Sequence, residues 1–570
     1  MHKDSYFSRV NPDLLAKIPL SAQRILEVGC GEGSVAEVYL RRNPTAAYFG
    51  IELSENAGRT ASIHMHRVIL GDIEQSNVIA ALDALIGDDR FDTVLFGDVL
   101  EHLRDPWKVL AEMRMRVSEG GVCVACIPNV SHWSLLVEQL KGRWDYTDAG
   151  LLDRTHLRFF TLETAIELFE RAGWTVLDVT PRILWPDKTK AALESFLPVS
   201  KSLGVSQEKF QRDLSAFQWV IRAVNGQLPK QLNIAALGIK KTAGVTEARV
   251  DYPCTALASL PGVQARWNSL SVSIPSNWHP GIFVLHRQFM TDTGLNSHIE
   301  RLIATGWVVI ADIDDDPRHW EEFISNDFYA FRAAHVVTVS TERMADLMRQ
   351  WNPNVFVFPN AIAELPALPS RYTPKNGEVI RIFFGAINRQ SDWEEIKQSV
   401  LEVLEKLSDK IELVVVHDQA VFDTLPGTLK KFFFPTLPHP QYMEVLASCD
   451  LALLPLRDTE FNRLKSDLKF IECCAAGVVP ICSAIVYADH MHKNIGVFPQ
   501  TIADWGASLS QLCGSTESIR VRKEAGLEYI KRERMHSHIV VARKNFYQSL
   551  IDNRENLERQ RQGRLTSRVN

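Results

Sequence analysis

The sequence predicts an α/β protein with several parallel sheets, and two observations support this prediction. Short runs of β-branched residues alternate with longer helical patterns along nearly the whole chain, which is typical of parallel sheets covered by helices. The chain of 570 residues is also too long for a single hydrophobic core, because domains usually contain about 100–200 residues. We therefore expect three compact α/β units in succession.

The first alternating series predicts one domain over residues 1–242. Its predicted strands are Arg24–Val28, Tyr48–Glu52, His66–Gly71, Thr93–Phe96, Val122–Ile127 and Thr175–Val179. Helices are expected between them, for example over Pro106–Val117 and Leu162–Ala172. A polar helical insertion is expected at residues 188–227, and Leu232–Ile239 is expected to be the last strand of this domain.

Two further series predict two lobes, over residues 243–372 and 373–552. The strands expected in the first lobe are Gly281–Leu285, Trp307–Ile313, Val336–Val339 and Val355–Phe358. Those expected in the second lobe are Ile380–Phe384, Ile411–Val416, Phe432–Phe434, Leu451–Leu454 and Val479–Cys482. The proline-rich stretch Leu365–Gly377 marks the linker between the lobes. Residues 553–570 are expected to form a basic tail, either a solvated amphipathic helix or a contact for anionic lipid headgroups.

Composition excludes several classes of protein. The formal net charge is -6, whereas a nucleic-acid binder normally has a basic excess, so no nucleic-acid partner is expected. Neither a signal peptide nor an apolar stretch of membrane-spanning length is visible. Cys123 and Cys126 form a C-x-x-C pair inside a predicted strand, without a second pair at zinc spacing, so buried thiols are favoured over a metal or redox site. A cytoplasmic location is expected.

A glycine-rich loop follows the first predicted strand. The segment Glu27–Gly33 has the pattern E-x-G-x-G-x-G and leads into a predicted helix. Glycines allow a sharp turn and a close approach of the backbone to a bound nucleotide. This loop alone is weak evidence, because dinucleotide-binding folds use a similar device.

Acidic residues at the ends of the next strands add to this evidence. Glu52 ends the second strand, where a carboxylate can accept both ribose hydroxyls, an arrangement that suits NAD and S-adenosylmethionine equally. Asp72 ends the third strand, and the fourth leads into Asp98 and Leu100-Glu101-His102. The whole series resembles the class I methyltransferases, which have a Rossmann-like fold. The resemblance implies S-adenosylmethionine as cofactor, in a pocket lined by Glu27, Gly29, Gly31, Gly33, Glu52, Asp72 and Asp98, with Glu27 the weaker contact because it commonly supports the loop.

The acceptor is indicated less directly. The Asn/Asp-Pro-Pro-Tyr/Phe segment typical of methyltransferases that act on amide or base nitrogens is absent at Gly97–Leu100. Ile127–Trp133 and Leu152–Thr161 are similar to bacterial methyltransferases found with polysaccharide genes, which implies a sugar hydroxyl. A general base for that hydroxyl would be a histidine, and the candidates are His156, His102 and His132. The alternation of Arg154, His156 and Arg158 predicts either one catalytic face or a loop held by ion pairs.

The strongest pattern in the second half of the chain is Phe461–Ile481, preceded by Ala447–Leu456. It resembles the donor-binding half of GT-B glycosyltransferases, particularly the glycogen synthase-like and lipopolysaccharide enzymes, which are built from twin Rossmann lobes. The resemblance implies that Glu472 holds the ribose of a nucleotide-sugar donor. Basic residues suited to its diphosphate are Arg389, Lys465 and Lys469.

One position departs from that pattern. Many relatives have a second glutamate upstream of the first, and here Leu464 stands eight positions before Glu472. Its contact to the sugar is missing or has moved, for example to Asn462 or Lys465. Asp312–Asp316 contains a D-x-D spacing that binds manganese in the other glycosyltransferase fold. An acceptor-cleft or structural role is favoured here, and no metal site is expected.

The sequence therefore predicts a Rossmann-like methyltransferase domain fused to a two-lobed GT-B glycosyltransferase. The expected role is assembly of a bacterial surface glycan, O-antigen or capsule, on a glycan or lipid-linked glycan acceptor, with peripheral contact at the inner face of the plasma membrane. Two alternatives are a nucleic-acid methyltransferase with an inert second module, and a methyltransferase whose second module only binds glycan. The oligomeric state is not indicated.

Overall fold

The protein is described from a computed structural model. It describes residues 10–241, 244–291, 293–368, 374, 377–385 and 387–566. The chain forms two compact units, the first comprising Met1–Gln231 and Ala258–Val263 and the second Leu232–Leu257 and Gln264–Asn570. Most of the linker predicted at Leu365–Gly377 lies outside the described residues.

The first unit contains a seven-stranded sheet of order β3-β2-β1-β4-β5-β7-β6. Its strands are β1 Arg24–Val28, β2 Ala47–Glu52, β3 Arg67–Leu70, β4 Phe91–Gly97, β5 Val117–Pro128, β6 Thr175–Arg182 and β7 Gln218–Val224. Strands β1 to β5 are parallel, and β7 is antiparallel to both β5 and β6. The parallel order reverses between β1 and β4. That switch point is where ligands bind in open α/β sheets.

Helices cover both faces of this sheet, and apolar residues of each face form separate clusters. Polar side chains define several helix starts: Asp105 accepts from the Lys108 amide just before Pro106, and Thr161 forms a capping box with Thr164. The helical segments are Pro12–Leu15, Ser34–Arg42, Glu55–Ala61, Ser76–Ile86, Leu100–His102, Pro106–Arg116, Trp133–Leu140, Leu162–Arg171, Pro186–Ser202 and Gln207–Ser215.

The structure corrects the end of the first domain. Strand β7 lies at residues that were expected to be helical, because Gln218–Val224 is a short run buried on both faces, and length alone separates such a strand from a buried helix. The segment expected as the last strand of this domain is β8, Leu232–Leu237, which pairs with a strand of the second unit. The first unit therefore ends at Gln231 instead of residue 242.

The second unit has two sheets. The first has the order β13-β12-β11-β10-β8-β9 and the second the order β16-β15-β14-β17-β18. Strand β9 was not predicted. The strands of the first sheet are β8, β9 Val263–Asn268, β10 Ile282–His286, β11 Val308–Asp312, β12 Val336–Val339 and β13 Val355–Val357. Those of the second are β14 Ile380–Gly385, β15 Ile411–Val416, β16 Lys430–Phe434, β17 Leu451–Leu454 and β18 Val479–Cys482.

Each sheet of the second unit packs against its own helices and apolar clusters. Helical segments of the first lobe are Glu247–Asp251, Tyr252–Ser259, Thr293–Ala304, Pro317–His319, Glu321–Ser325, Tyr329–Ala333 and Glu342–Met348. Those of the second lobe are Gln390–Lys406, Gln419–Asp423, His439–Ala447, Glu460–Arg463, Leu468–Ala475, Ala484–Tyr487, Ala488–Lys493, Ile502–Cys513 and Thr516–Glu533. The last two helices, His536–Asp552 and Arg554–Thr566, pack against the first lobe.

The carboxyl-terminal segment packs back onto the second unit. The helix Arg554–Thr566 buries Leu557, and Arg561 pairs with Glu300 at 2.7 Å. The Arg564 guanidinium donates to the Ala334 carbonyl at 2.7 Å. The tail expected to be solvated is therefore part of the folded unit up to residue 566. Within the described residues, no helix is both long and apolar enough to span a membrane.

Candidate functional site

The loop after β1 has the backbone that its glycines predict. Gly29, Gly31 and Gly33 all have positive φ, at 70°, 56° and 83°, a region that side chains with a Cβ rarely adopt. A Cβ on Gly29 would lie 2.4 Å from Val99 Cγ2, and one on Gly33 would lie 3.1 Å from the Ala61 Cα. Glycine is thus required both by the turn and by close packing.

Glu52 fixes this loop from the end of β2. One carboxylate oxygen accepts from the Gly31 amide at 2.8 Å, and the other accepts from the Ser54 amide at 2.8 Å. The side chain is 6% exposed. Each carboxylate oxygen can accept more than one hydrogen bond, so Glu52 keeps acceptor capacity for two hydroxyl donors.

Glu27 supports the pocket from inside the sheet. The Tyr48 hydroxyl donates to its carboxylate at 2.9 Å, and the side chain is buried. Burial raises the pKa of Glu27 to about 8, with the Tyr48 hydrogen bond opposing the shift and the Glu52 charge adding to it. This geometry suits a supporting residue more than a direct ligand contact.

Asp72 lies half-buried just after β3. Its side chain accepts from the Glu74 amide at 2.9 Å. The preceding Gly71 has a φ of 144° and donates to the Glu52 carbonyl at 2.9 Å, which joins the ends of β2 and β3. The two acidic side chains therefore follow neighbouring strand ends, as the sequence predicted.

Asp98 follows β4 with a left-handed backbone, at a φ of 57°. The Gln218 amide of β7 donates to its carboxylate. Burial raises the pKa of Asp98 to about 6, although the Arg182 charge acts in the opposite direction. Gln218 was missed by sequence reasoning because its segment was expected to be helical.

These residues fit S-adenosylmethionine. A glycine turn that would not accept a Cβ and a carboxylate with free acceptor capacity lie at the switch point of a parallel sheet. That arrangement suits an adenosyl group and its ribose. The buried carboxylate of Asp98, whose pKa of about 6 leaves it ionised at neutral pH, adds negative charge, which suits a sulfonium cation.

Glu101, His102 and His156 form a second cluster beside this pocket. They can each offer one ligand atom within 4.8 Å of the others. Glu101 is 1% exposed, and neither of its carboxylate oxygens has a hydrogen-bond partner among the described residues. Burial, together with the Asp98 charge, raises the pKa of Glu101 well above its ordinary value. The sequence pattern contained Glu101, but reasoning about proton transfer selected only the histidines.

Backbone contacts hold the two histidines in place. The amides of Leu157 and Arg158 donate to the Glu101 carbonyl at 2.8 and 2.9 Å, so the segment that contains His156 lies against the short helical turn Leu100–His102 that follows β4. The rings of His102 and His156 meet edge to face, with centroids 4.8 Å apart. Burial and the neighbouring His102 lower the pKa of His156. This imidazole is therefore neutral at neutral pH.

His132 does not join this cluster. Its side chain is 0% exposed and caps the helix Trp133–Leu140 by accepting from the Ser134 amide. Burial lowers its pKa to about 4. The ring has no surface from which to reach an acceptor, so the geometry favours a structural role over the catalytic one considered from sequence.

The two arginines that flank His156 hold the loop. Arg154 pairs with Asp148 at 3.0 Å, and the Arg158 guanidinium donates to the Arg104 carbonyl and lies over the Trp107 ring. Of the two interpretations of the Arg154–Arg158 alternation, the geometry favours the loop held by polar contacts. Only the histidine between them lies at the cluster.

In the second unit, Glu472 lies on the helix Leu468–Ala475 and is 1% exposed. Lys469 Nζ and His439 Nε2 each donate to its carboxylate at 2.9 Å, and the Tyr252 hydroxyl donates to His439 Nδ1 at 2.8 Å. Burial alone would raise the pKa of Glu472, but the charges and hydrogen bonds of Lys469 and His439 lower it to about 2.

The other basic candidates also have acidic partners. Arg389 pairs with Asp392 at 2.8 Å, and Lys465 with Asp315 at 3.3 Å. Arg389 and Lys469 line a pocket together with residues at the ends of β14 and β17, including Gly385 and Leu454, and with Tyr487. Leu464, in the place of the expected glutamate, is buried in the apolar cluster of the first lobe.

The carboxylates of the acidic segment Asp312–Asp316 are paired with basic side chains of the protein. Asp312 accepts from the Arg249 guanidinium at 2.7 Å and from His286 and Thr338. Asp314 accepts from Arg287, and Asp316 from Arg318. These contacts support a structural role, one of the two roles that the sequence favoured over a metal site.

Comparisons with known proteins address mainly the first unit. Residues 2–179 match the family model described as a methyltransferase domain. The ubiquinone biosynthesis O-methyltransferase of Thiobacillus denitrificans is 34% identical over 175 residues, which are 29% of this chain and 73% of that protein. The enzyme of the same name from Cereibacter sphaeroides strain KD131 is 28% identical over 168 residues, and this chain spans only 66% of its length.

Two solved structures align with parts of this chain at low identity. An S-adenosylmethionine dependent methyltransferase from Mesorhizobium loti is 16% identical with a TM-score of 0.25, covering 37% of this chain and 96% of that one. A mutant of S. aureus TarM, in complex with fondaparinux, alpha-GlcNAc-glycerol and UDP, is 11% identical with a TM-score of 0.36. It covers 47% of this chain and 55% of that one.

Proposed function

This chain belongs, through its amino-terminal unit, to the S-adenosylmethionine-dependent methyltransferases, and from that premise we propose that it methylates a hydroxyl group of a sugar during assembly of a bacterial surface polysaccharide. The observation that carries the proposal is the pairing of two neighbouring sites in one unit. The glycine turn with Glu52 suits the cofactor, and the cluster of Glu101, His102 and His156 suits an oxygen acceptor.

Each group in the unit then has a defined task. S-adenosylmethionine supplies an activated methyl group. Glu52 accepts from the ribose hydroxyls while its bonds to Gly31 and Ser54 keep the carboxylate fixed. Fixed geometry of this kind supplies much of the rate when the transferred group is already activated. The cluster at the end of β4 orients the acceptor hydroxyl and lowers the cost of removing its proton.

An oxygen acceptor is supported by two observations. The relatives are named O-methyltransferases, and the histidines beside the cofactor pocket suit hydroxyl deprotonation near neutral pH. The exposed ring of Phe159 lies 6.3 Å from the His156 ring, and the exposed ring of Trp144 lies 5.9 Å from that of Phe159, measured between centroids. Aromatic faces bind the apolar side of a sugar ring as well as they bind planar rings, so a sugar acceptor fits this surface.

We propose for the second unit that it transfers a sugar from a nucleotide donor to a glycan or lipid-linked glycan. The support is the sequence resemblance to GT-B enzymes and the pocket lined by Arg389 and Lys469 at the ends of β14 and β17. A diphosphate there would lie at the carboxyl ends of parallel strands, the usual ligand position in such sheets. The Arg389 and Lys469 side chains would bind it by charge-assisted hydrogen bonds.

A specific observation favours a second function for this unit, which is glycan binding without transfer. Arg389, Lys465 and Lys469 are each paired with a carboxylate, and Glu472 is already bound by Lys469 and His439. A nucleotide diphosphate would have to displace those carboxylates from the cations. A glycan, which is neutral or weakly charged, would leave them undisturbed.

Methyl transfer to defined acceptors tests the first proposal. The full chain is incubated with S-adenosylmethionine that has a labelled methyl group and with two acceptor classes, oligosaccharides and catechol-type phenols. We expect label on a sugar oxygen. Label only on the phenols would show that the acceptor is an aromatic ring hydroxyl, like those of a quinol precursor, instead of a sugar hydroxyl. Label on neither acceptor class, with intact cofactor binding, would refute both acceptors.

Nucleotide binding tests the proposal for the second unit. We expect UDP or another nucleoside diphosphate to bind the full chain, and Lys469→Ala to weaken that binding about tenfold or more while binding of the nucleoside alone changes little. Arg463→Ala is the control, since the ion-pair partner of this exposed cation is the exposed Asp458. Glycan binding with no nucleotide binding at all would leave the second unit as a docking module.

A further inference from the structure

We propose that Tyr252 and His439 are positioning residues for Glu472, so that the first lobe of the second unit completes the binding site for the ribose of a nucleotide donor. This inference rests on the nucleotide binding proposed above and adds a requirement for a residue of the first lobe. The three side chains form one continuous series of hydrogen bonds. Tyr252 contacts His439 at 2.8 Å, and His439 contacts Glu472 at 2.9 Å.

The charge of Glu472 fixes the direction of both hydrogen bonds. Although burial acts in the opposite direction, the Lys469 charge and the His439 hydrogen bond lower the pKa of Glu472 to about 2, so the carboxylate can only accept. His439 Nε2 therefore has the proton, and Nδ1 of the neutral imidazole accepts from the Tyr252 hydroxyl. Burial, together with the Glu247 charge, raises the pKa of Tyr252 above its ordinary value. The phenol thus keeps the proton that it donates.

These bonds leave Glu472 with acceptor capacity for a diol. His439 binds one carboxylate oxygen and Lys469 binds the other, each at 2.9 Å. A carboxylate oxygen can accept more than one hydrogen bond, so each oxygen keeps a position for a further donor. The two neighbouring hydroxyls of a ribose supply such a pair of donors. Glu52 of the first unit is held in the same way, because one backbone amide donates to each of its oxygens.

The ring of His439 is also fixed from within its own lobe. It stacks on the Tyr442 ring, with centroids 6.1 Å apart and planes inclined by 18°. Lys469 Nζ lies 4.2 Å from the centroid of the same tyrosine, so both donors to Glu472 pack on one aromatic ring. Tyr442 therefore sets the plane of the imidazole, and Tyr252 determines which of its nitrogens has the proton.

The first lobe approaches His439 closely at two places. Gly244 has a φ of 86°, and a Cβ at this position would lie 2.7 Å from His439 Cδ2. Tyr252 directly follows the π-helical turn Glu247–Asp251. Turns of this kind are rare and occur frequently at functional sites. Both features bring atoms of the first lobe to the residue that holds Glu472.

A purely structural contact between Tyr252 and His439 makes a different prediction from a positioning contact. Loss of a structural contact lowers the stability of the unit but does not change its preference between ribonucleotides and 2′-deoxyribonucleotides. A positioning contact acts through Glu472, which binds the ribose hydroxyls, so its loss reduces that preference. A hydrogen bond to a charged acceptor changes affinity about tenfold or more, which makes the preference measurable.

Calorimetric titration of the full chain with paired nucleotides tests the inference. UDP, GDP, ADP and CDP are each compared with the 2′-deoxy form, and the pair that contains the tightest ribonucleotide is used for the variants. We expect the wild type to prefer the ribonucleotide about tenfold or more, and Tyr252→Phe to reduce this preference to about threefold or less. His439→Leu should abolish the preference. His439→Gln should retain part of it, because an amide can still donate to Glu472.

Tyr329→Phe is the matched control. Tyr329 begins another helix of the first lobe, and its ring packs beside the Arg332 guanidinium. Its variant loses the same hydroxyl group as Tyr252→Phe and should have the nucleotide preference of the wild type.

The outcomes separate this inference from the proposed nucleotide binding. A ribonucleotide preference that is unchanged in Tyr252→Phe and His439→Leu would overturn the positioning role and leave the donor site intact. Equal affinity of the wild type for both forms would overturn it as well, because Glu472 would not hold the ribose. No binding of any nucleoside diphosphate to the wild type would refute the donor and this inference together. If His439→Leu fails to fold, Tyr252→Phe decides, because it removes a single oxygen atom.

Discussion

The buried carboxyl groups of the two units differ in their partners and therefore in their pKa values. In the first unit, burial raises the pKa of Glu27, Asp98 and Glu101, and the Arg182 charge offsets only part of the shift of Asp98. In the second unit, cations more than offset burial and lower the pKa of Asp312, Asp467 and Glu472. Arg249, Arg534 and Lys469 supply those charges.

The difference indicates which buried carboxyl groups stabilise the fold and which serve a ligand. A carboxylate that already has a cationic partner stabilises the fold it belongs to. A buried carboxyl group without one is tolerated at a cost in stability, and in the first unit these groups surround the pocket for a sulfonium cofactor. Acidic residues of similar burial thus have different functions in the two units.

Removing a paired charge gives the largest effect that we predict on stability. Asp312→Ala leaves the buried Arg249 without its carboxylate, and the free energy of unfolding of the second unit should fall by about 3–5 kcal/mol. Hydrogen exchange with mass spectrometry measures this in peptides from β10 to β12. Glu460→Ala is the control, because Glu460 is 77% exposed and its pair with Arg318 should contribute less than about 1 kcal/mol. Equal losses in the two variants would remove the distinction between paired and surface charges.

The raised pKa of Glu27 predicts that the first unit loses stability as the pH rises. The folded unit retains a proton on Glu27 up to about pH 8, whereas the unfolded chain releases it near 4.5. Stability from this group is therefore complete below about 4.5 and falls by up to about 1.4 kcal/mol per pH unit above it. Glu27→Gln should flatten the pH dependence of the free energy of unfolding by urea, measured by hydrogen exchange with mass spectrometry in peptides from β1 to β5. An unchanged slope would show that Glu27 is ionised in the folded unit.

The lowered pKa of Glu472 predicts the opposite sign in the second unit, over a narrower range. Its contribution should be complete above the unfolded value near 4.5 and be lost as the pH falls toward about 2. The wild type and Glu472→Gln are unfolded by urea at several acidic pH values. Hydrogen exchange with mass spectrometry in peptides from β14 to β18 then gives the difference between their free energies of unfolding. Stability of the two proteins should converge at the acid end. A constant difference down to that end would contradict the pairing of Glu472 with Lys469.

Most of the fold could be predicted from the sequence because parallel strands are short apolar runs separated by helices. Strands β1, β12, β15, β17 and β18 have the predicted bounds, and most others differ by one or two residues. Strand β7 could not be predicted, since a run buried on both faces has no alternation, and its antiparallel pairing with β5 and β6 depends on distant residues. The same limitation placed β8 in the wrong unit.

The candidate site was predictable where one residue type has one function. Glycines with positive φ in the first loop and an acid at the end of β2 follow from backbone sterics and hydrogen bonding. The roles of the histidines were not predictable. His132 and His156 both follow strands or turns in polar sequence, yet one caps a helix inside the core and the other faces a buried carboxylate. Only tertiary contacts distinguish them.

The central claim is that the first unit binds S-adenosylmethionine at the glycine turn, and calorimetric titration of the full chain tests it most directly. We expect the wild type to bind in the micromolar range or tighter. Gly31→Val should abolish binding, because a branched side chain at a φ of 56° disrupts the turn and the bond to Glu52. Gly87→Val is the matched control, since Gly87 has the same φ of 56° but no atom within 4 Å of its added Cβ. Undiminished binding in Gly31→Val, with both variants folded, would contradict the account.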